Sequence, residues 1–130
     1  MPLVVVNMIP NDRSGEQNQD SEPNITVDPL NPQRIAGSAF TPNLAMNPNA
    51  PIYVSTNGGS TWSLASIVPS QDPDVGTGDI TLKLASTGTL YAGILRRPSA
   101  GLRLNILRSP DFTSGAVMTV LVDRGAQKTA

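Results

Sequence analysis

The chain has 130 residues, a formal net charge of −1 and a pI near 5.1, with only 15% of residues charged. That is one domain's worth of sequence, long enough to bury a core, and it lacks the basic face that a nucleic-acid backbone demands as a partner. The absence of cysteine and histidine removes disulfides, thiolate and imidazole metal ligands, cysteine nucleophiles and histidine-based triads.

The opening MPLVVVNMIP is a short apolar run without a basic leader or a cleavage-type site, so it predicts a strand and not a signal peptide. No apolar stretch approaches the roughly 20 residues of a membrane span. Asp20 and Glu22 then precede NITVDP, whose Ile25 and Val27 alternate with polar positions. A second short strand is predicted over Arg34 to Phe40, a third over Pro51 to Asn57 and a fourth over Thr61 to Val68, each bounded by Asn, Pro, Gly or Ser.

The same order then recurs. Asp79 to Ser86 repeats the first alternation as Ile80, Leu82 and Leu84, placed 55 residues after Ile25 and Val27. Thr89 to Arg96 repeats the small-residue strand, Leu102 to Asp111 repeats the third, and Val117 to Asp123 repeats the fourth. Ser55 and Ser109 end corresponding strands 54 residues apart. Four period-2 strands per unit at roughly 40–55 residues is the size class of a β-propeller blade. The alternative is a β-sandwich of about eight strands.

The expectation is an all-β chain of two four-stranded antiparallel propeller blades plus an N-terminal closing strand, part of a larger or oligomer-completed ring. Its boundaries are 1–19 for the closing strand and loop, 20–70 for blade 1, 71–124 for blade 2 and 125–130 for the start of the next blade. The chain then reads as an N-terminal fragment of a larger propeller, its partners being the remaining blades or further copies of itself.

Within the first unit, Asn57-Gly58 is a strong hairpin signal because a type I′ turn needs positive φ at both central residues. Gly59 extends that allowance, the Asn57 side chain can accept backbone N–H groups, and Trp62 can lay its ring beneath the turn. Ser55, Asn57, Gly59, Thr61 and Trp62 resemble the Asp-box, or bacterial neuraminidase repeat, with Asn57 in place of the usual Asp. Ser109 and Asp111 are in register with that pattern, without its glycine and tryptophan. Ser21 to Ser38 is also similar to the run that opens blades in many bacterial Asp-box proteins. The resemblance covers residues 20–68 well and 79–123 weakly. It implies a peripheral, structural box and an extracellular or envelope protein that binds glycan or protein. It also implies, as an alternative, a sialidase-like glycoside hydrolase whose catalytic residues lie beyond residue 130. A third reading is a scaffold that oligomerises into a ring.

Candidate chemistry is sparse. Arg34 begins an Arg-Ile pair similar to the sialidase Arg-Ile-Pro start, although Ala36 stands where proline would. Arg96 and Arg97 are adjacent, so only one can face a given pocket. Tyr53 and Tyr91 sit inside apolar alternations and read as packed. Asp20 and Asp74 are candidate acid/base carboxylates of a hydrolase. Asp72, Asp74 and Asp79 in QDPDVGTGD alternate with turn residues and are candidate calcium ligands. No other cofactor is implied. Asn24-Ile25-Thr26 forms a glycosylation-type sequon, read as chance.

Overall fold

The computed structural model describes residues 2–9, 21–40, 51–69, 77–96 and 101–125. These are all-β, with no helix among them. Strands β1 (Ser21–Val27), β2 (Ile35–Phe40), β3 (Ile52–Ser55) and β4 (Ser63–Ala65) form one antiparallel sheet in sequence order. Strands β5 (Thr77–Leu84), β6 (Leu90–Arg96), β7 (Arg103–Ser109) and β8 (Thr119–Gly125) form a second in the same order. The alternating apolar positions dictate this pleat, and the Asp28–Arg34 and Ala85–Thr89 turns close the first hairpin of each sheet through matching backbone bonds.

Register aligns the first three strands of the two sheets. Val27 pairs with Ile35 and Ile35 with Ser55, just as Leu84 pairs with Leu90 and Leu90 with Ser109. Val27 therefore corresponds to Leu84 and Ile25 to Leu82, two residues away from the 55-residue match that the sequence suggests. A slip of two keeps every side chain on its face, so hydrophobic alternation alone cannot detect it.

Residues directly opposite one another across a sheet share a face. In the first sheet, Ile25, Gly37, Tyr53 and Leu64 line one face, while Thr26, Ala36, Val54 and Ser63 line the other. In the second, Leu82, Ala92 and Leu107 line the face corresponding to the Ile25 face, and Thr81, Gly93, Ile106 and Val122 line the face corresponding to the Thr26 face. The main core joins Ala36, Ile52 and Val54 to Ile80, Leu82, Leu84, Leu90, Ala92, Ile94 and Leu107. The Thr26 face of the first unit thus packs on the Leu82 face of the second: unlike faces meet, front to back.

The sheets approach each other along β1, β2 and β5. Here Asn24 Oδ1 accepts the Leu82 N–H at 2.9 Å and Thr26 Oγ1 accepts the Leu84 N–H at 3.0 Å. Two polar side chains of β1 thereby satisfy backbone donors on an edge strand of the neighbouring sheet, where they would otherwise be costly to bury. Away from β5, Phe112, Met118, Ile67 and Val68 fill the space between the sheets, and Met118 N–H donates to Ile67 O at 2.7 Å.

The N-terminal segment does not form a strand within this chain. Pro2–Asn7 are exposed and outside any strand. Val4, Val6 and Met8 instead lie over the Ile25 face with Trp62, and Met8 joins Ile9, Ala39, Tyr53 and Leu64 in a small second core. Met8 and Ile9 are the part of the segment that packs on that face, while Leu3, Val4 and Val5 stay exposed. Met8 packs so closely on Gly37 that a Cβ there would fall 2.5 Å from its sulfur. Gly37→Val should therefore displace the segment and raise protease cleavage near residue 8, with the sheet itself retained by circular dichroism.

Candidate functional site

One end of the second sheet carries a connected polar network. Thr77, Arg96, Arg103 and Gly125 are opposite one another where β5 and β7 begin and β6 and β8 end. Arg96 Nη1 donates to Asn105 Oδ1 at 3.1 Å, Asn105 Nδ2 donates to Asp123 Oδ1 at 2.9 Å, and Arg103 Nε donates to the same oxygen at 2.9 Å. Strand alternation puts all four on the Leu82 face, at the end of the second sheet where β6 and β8 finish. Asn105 is buried, while Arg103 and Asp123 remain open to solvent. Buried Ser38 lies on the facing Thr26 face, and its Oγ has no partner among the described residues.

The hydrogen bond from Arg103 holds Asp123 below the ordinary carboxylate range, helped by Asn105 and by the charges of Arg103 and Arg96, and the same carboxylate raises Arg103. Two guanidinium groups oriented by an amide and a carboxylate form a donor-rich rim suited to carboxylate or hydroxyl groups of a ligand. A depressed carboxylate stabilises the folded state above its unfolded pKa and loses that contribution as pH falls through the folded value. Acidification below about pH 4 should therefore weaken the β7–β8 end. Asp123→Asn should flatten this part of the pH–melting profile.

The opposite end of the molecule holds a different constellation. Asp28, 1% exposed, accepts the Leu30 N–H at 2.9 Å and lies 3.6 Å from Arg34 Nη1. Arg34 Nη2 donates to Asp111 Oδ1 at 2.7 Å, and the guanidinium lies 4.9 Å from the centroid of the Phe112 ring. Arg34 thus ties the β1–β2 turn to the β7–β8 turn. Asp111 is lowered chiefly by the Thr113 hydroxyl, then by the Thr113 N–H, with Arg34 adding to both.

The Ser55–Trp62 turn belongs to this end too. Asn57 Oδ1 accepts the Ser55 hydroxyl at 3.0 Å and the Thr61 N–H at 2.9 Å, and its Nδ2 donates to Thr61 Oγ1 at 2.8 Å. Ser55 Oγ accepts the Gly59 N–H at 2.9 Å, and Trp62 Nε1 donates to Gly59 O at 3.0 Å. Positive φ falls at Gly58 (68°) and Gly59 (87°), with Ser60 N–H bonded back to Asn57 O. The tight turn is therefore centred one residue later than Asn57-Gly58 suggests, which frees Asn57 to act through its side chain. Gly58 N–H donates to Gln33 O, docking this turn on the β1–β2 turn. Asn57→Ala should cost about 0.5–1.5 kcal/mol by removing the side chain that links Ser55 to Thr61. Asn57→Asp should stay within about 0.5 kcal/mol of wild type, since the Thr61 hydroxyl can donate instead. Urea melts compare the two.

Of the residues that sequence singles out, Ser55, Asn57, Gly58, Gly59, Thr61 and Trp62 come together in that turn. Arg34 sits in the staple, at the end of the sheets opposite the start of β5 where exposed Asp79 lies, so these two do not share a site. Asp20, Asp72, Asp74 and Arg97 lie outside the described residues, and no cluster of three acidic residues is found among those described. Tyr53 is fully buried and Tyr91 half-buried, as packed residues. Sequence reading misses Asn105, Asp123 and Arg103, and it gives Arg96 no partners. Their signal is visible only once register places Arg96 opposite Arg103 and Asn105 opposite Asp123. It also dismisses Asn24 and Thr26 as a chance sequon, although both hold β5.

Compared with models of protein families, with curated proteins and with solved structures, the sequence has no match.

Proposed function

We propose that this chain is a pair of Asp-box propeller blades whose ligand site lies at the Arg96–Asn105–Asp123–Arg103 rim, and that it binds glycan or protein without catalysis. Support for the blade reading comes from the front-to-back packing of corresponding faces. Repeated blades around an axis stack in this way, with their first strands close together and their last strands farther out. A two-sheet sandwich related by a face-to-face core has no reason to match unlike faces. The Asn57-centred network, with Trp62 closing the turn, supports the Asp-box reading and gives those residues a structural task at the end opposite the rim.

The observation that carries the binding reading is the rim network: two arginines held by Asn105 and Asp123 at one end of the second sheet. Its donors suit acidic or hydroxyl-rich sugars or an acidic protein surface. The extracellular or envelope setting belongs to the same proposal and is checked by fractionating the native host. Screening the full-length protein on a glycan array, beside a fluorogenic sialoside assay, tests the function. Binding that falls about tenfold or more in Arg96→Ala, a loss of about 1.4 kcal/mol, without turnover supports it. Sialoside turnover would replace it with the second reading, a sialidase-like hydrolase; the paired arginines at the rim favour that reading over other enzyme classes because such enzymes hold a substrate carboxylate with an arginine cluster.

A further inference from the structure

Asn57-Gly58 is the single Asn-Gly pair in the chain. Glycine has no Cβ to shield its backbone nitrogen, and in an unfolded chain that nitrogen attacks the side-chain amide of a preceding asparagine. The fold nevertheless requires both residues. Gly58 has φ of 68°, where other residues are strained, and a Cβ on it would lie 3.2 Å from Gln33 Oε1. Asn57 links Ser55 to Thr61 through its carboxamide. The same contacts restrain the reacting groups. Gly58 N–H is directed at Gln33 O at 2.9 Å, and the carboxamide cannot swing onto Gly58 N without breaking its bonds to the Ser55 hydroxyl, the Thr61 N–H and Thr61 Oγ1.

We propose that Asn57-Gly58 is a latent self-modification site, guarded by the docking of its turn on the β1–β2 turn and converted when that docking is lost. In the undocked turn, hydroxide removes the Gly58 N–H proton and the nitrogen bonds to Asn57 Cγ. The Cγ–Nδ2 bond breaks, and Nδ2 leaves as ammonia after taking a proton from water. Water then opens the resulting five-membered imide at either carbonyl. Opening at Cγ restores the ordinary peptide link with an aspartyl side chain. Opening at the Asn57 main-chain carbonyl leaves the chain running through Cγ, the isoaspartyl form. The aspartyl product keeps an oxygen acceptor for the Ser55 hydroxyl and the Thr61 N–H, so it docks again. The isoaspartyl product carries an extra methylene in the backbone, which carries Gly58 N–H out of register with Gln33 O. Loss of docking is thus recorded covalently, and in the isoaspartyl fraction it is permanent.

Peptide mapping by mass spectrometry tests this on the 130-residue chain, incubated in mildly alkaline buffer with and without urea. In urea Asn57 should convert to the two acidic products. The folded chain should convert at least about tenfold more slowly, because only its open fraction reacts. Ser55→Ala removes the hydroxyl that holds both the carboxamide and the Gly59 N–H. With folding checked by circular dichroism, it should convert faster than wild type in buffer and equally fast in urea. Thr61→Val, which removes only the Nδ2 acceptor, makes the same comparison if Ser55→Ala does not fold. On removal of urea, the aspartyl form should refold and the isoaspartyl form should not. Equal wild-type rates with and without urea, a folded variant that reacts no faster than wild type, or an isoaspartyl form that refolds would each overturn the proposal.

Discussion

Phe112→Ala should lower the unfolding free energy by about 3–5 kcal/mol, the range for deleting a large, enclosed aromatic side chain. Phe112 is 1% exposed and belongs to the core shared by both sheets. Its ring also lies under the Arg34 guanidinium. Sequence comparison of the two units makes the position look like the place where a structural turn has decayed, because glycine and tryptophan are missing after Ser109 and Asp111. The fold shows a substitution of means. In the first unit, Trp62 covers its own turn from the neighbouring strand; in the second, Phe112 turns inward from within the turn and wedges between the sheets. Trp62, half-buried and on the outer Ile25 face, should accordingly cost less when truncated than Phe112 does. Denaturant titration of the two variants side by side gives the ranking, and equal losses would place the wedge elsewhere.

Arg34→Ala should be the second large effect, about 2–3 kcal/mol, because it strips a nearly fully buried carboxylate of its guanidinium. Asp28 would keep the Leu30 N–H but lose Arg34, and Asp111 would lose its link across the sheets. The informative variant is the double substitution. Asp28→Asn removes the orphaned charge, so Arg34→Ala/Asp28→Asn should be more stable than Arg34→Ala alone. Simple additivity of the two single losses would show that the residues do not act as a pair. Arg34→Lys should restore little, since one ammonium cannot reach both carboxylates and lie over Phe112 in the way a planar fork does. The turn opposite Asp28 is equally constrained: Gly88 has φ of 75°, and a Cβ there would sit 3.3 Å from both Asp28 carboxylate oxygens.

The eight strands were legible because each carries a clean two-residue alternation between turn residues, and because the alternation occurs twice in the same order. Ser55 and Ser109 do end corresponding strands. Three features were hidden for physical reasons. The first-strand correspondence slips by two residues, which preserves every face and so leaves no trace in the pattern. The positive φ pair sits on Gly58-Gly59, because an asparagine that uses its side chain as an acceptor for Thr61 N–H is better placed at the corner than inside the turn. The rim network needs residues from β6, β7 and β8 in one register, and sequence distance alone does not pair Asn105 with Asp123. Arg34 illustrates the reverse case. A local Arg-Ile resemblance suggested chemistry, whereas its partners, Asp28, Asp111 and the Phe112 ring, are those of a cross-link between sheets.

Front-to-back stacking of corresponding sheets is the claim on which everything else depends, and amide exchange at Leu84 tests it most directly. Its N–H is bonded to Thr26 Oγ1 and to no backbone acceptor of β6. This amide should be as protected as the core amides of β6, and Thr26→Val should selectively open it while the amides of β6 and β7 stay protected. A Leu84 amide that already exchanges in the wild type at the rate of a free sheet edge would contradict the stacking, and with it the blade reading.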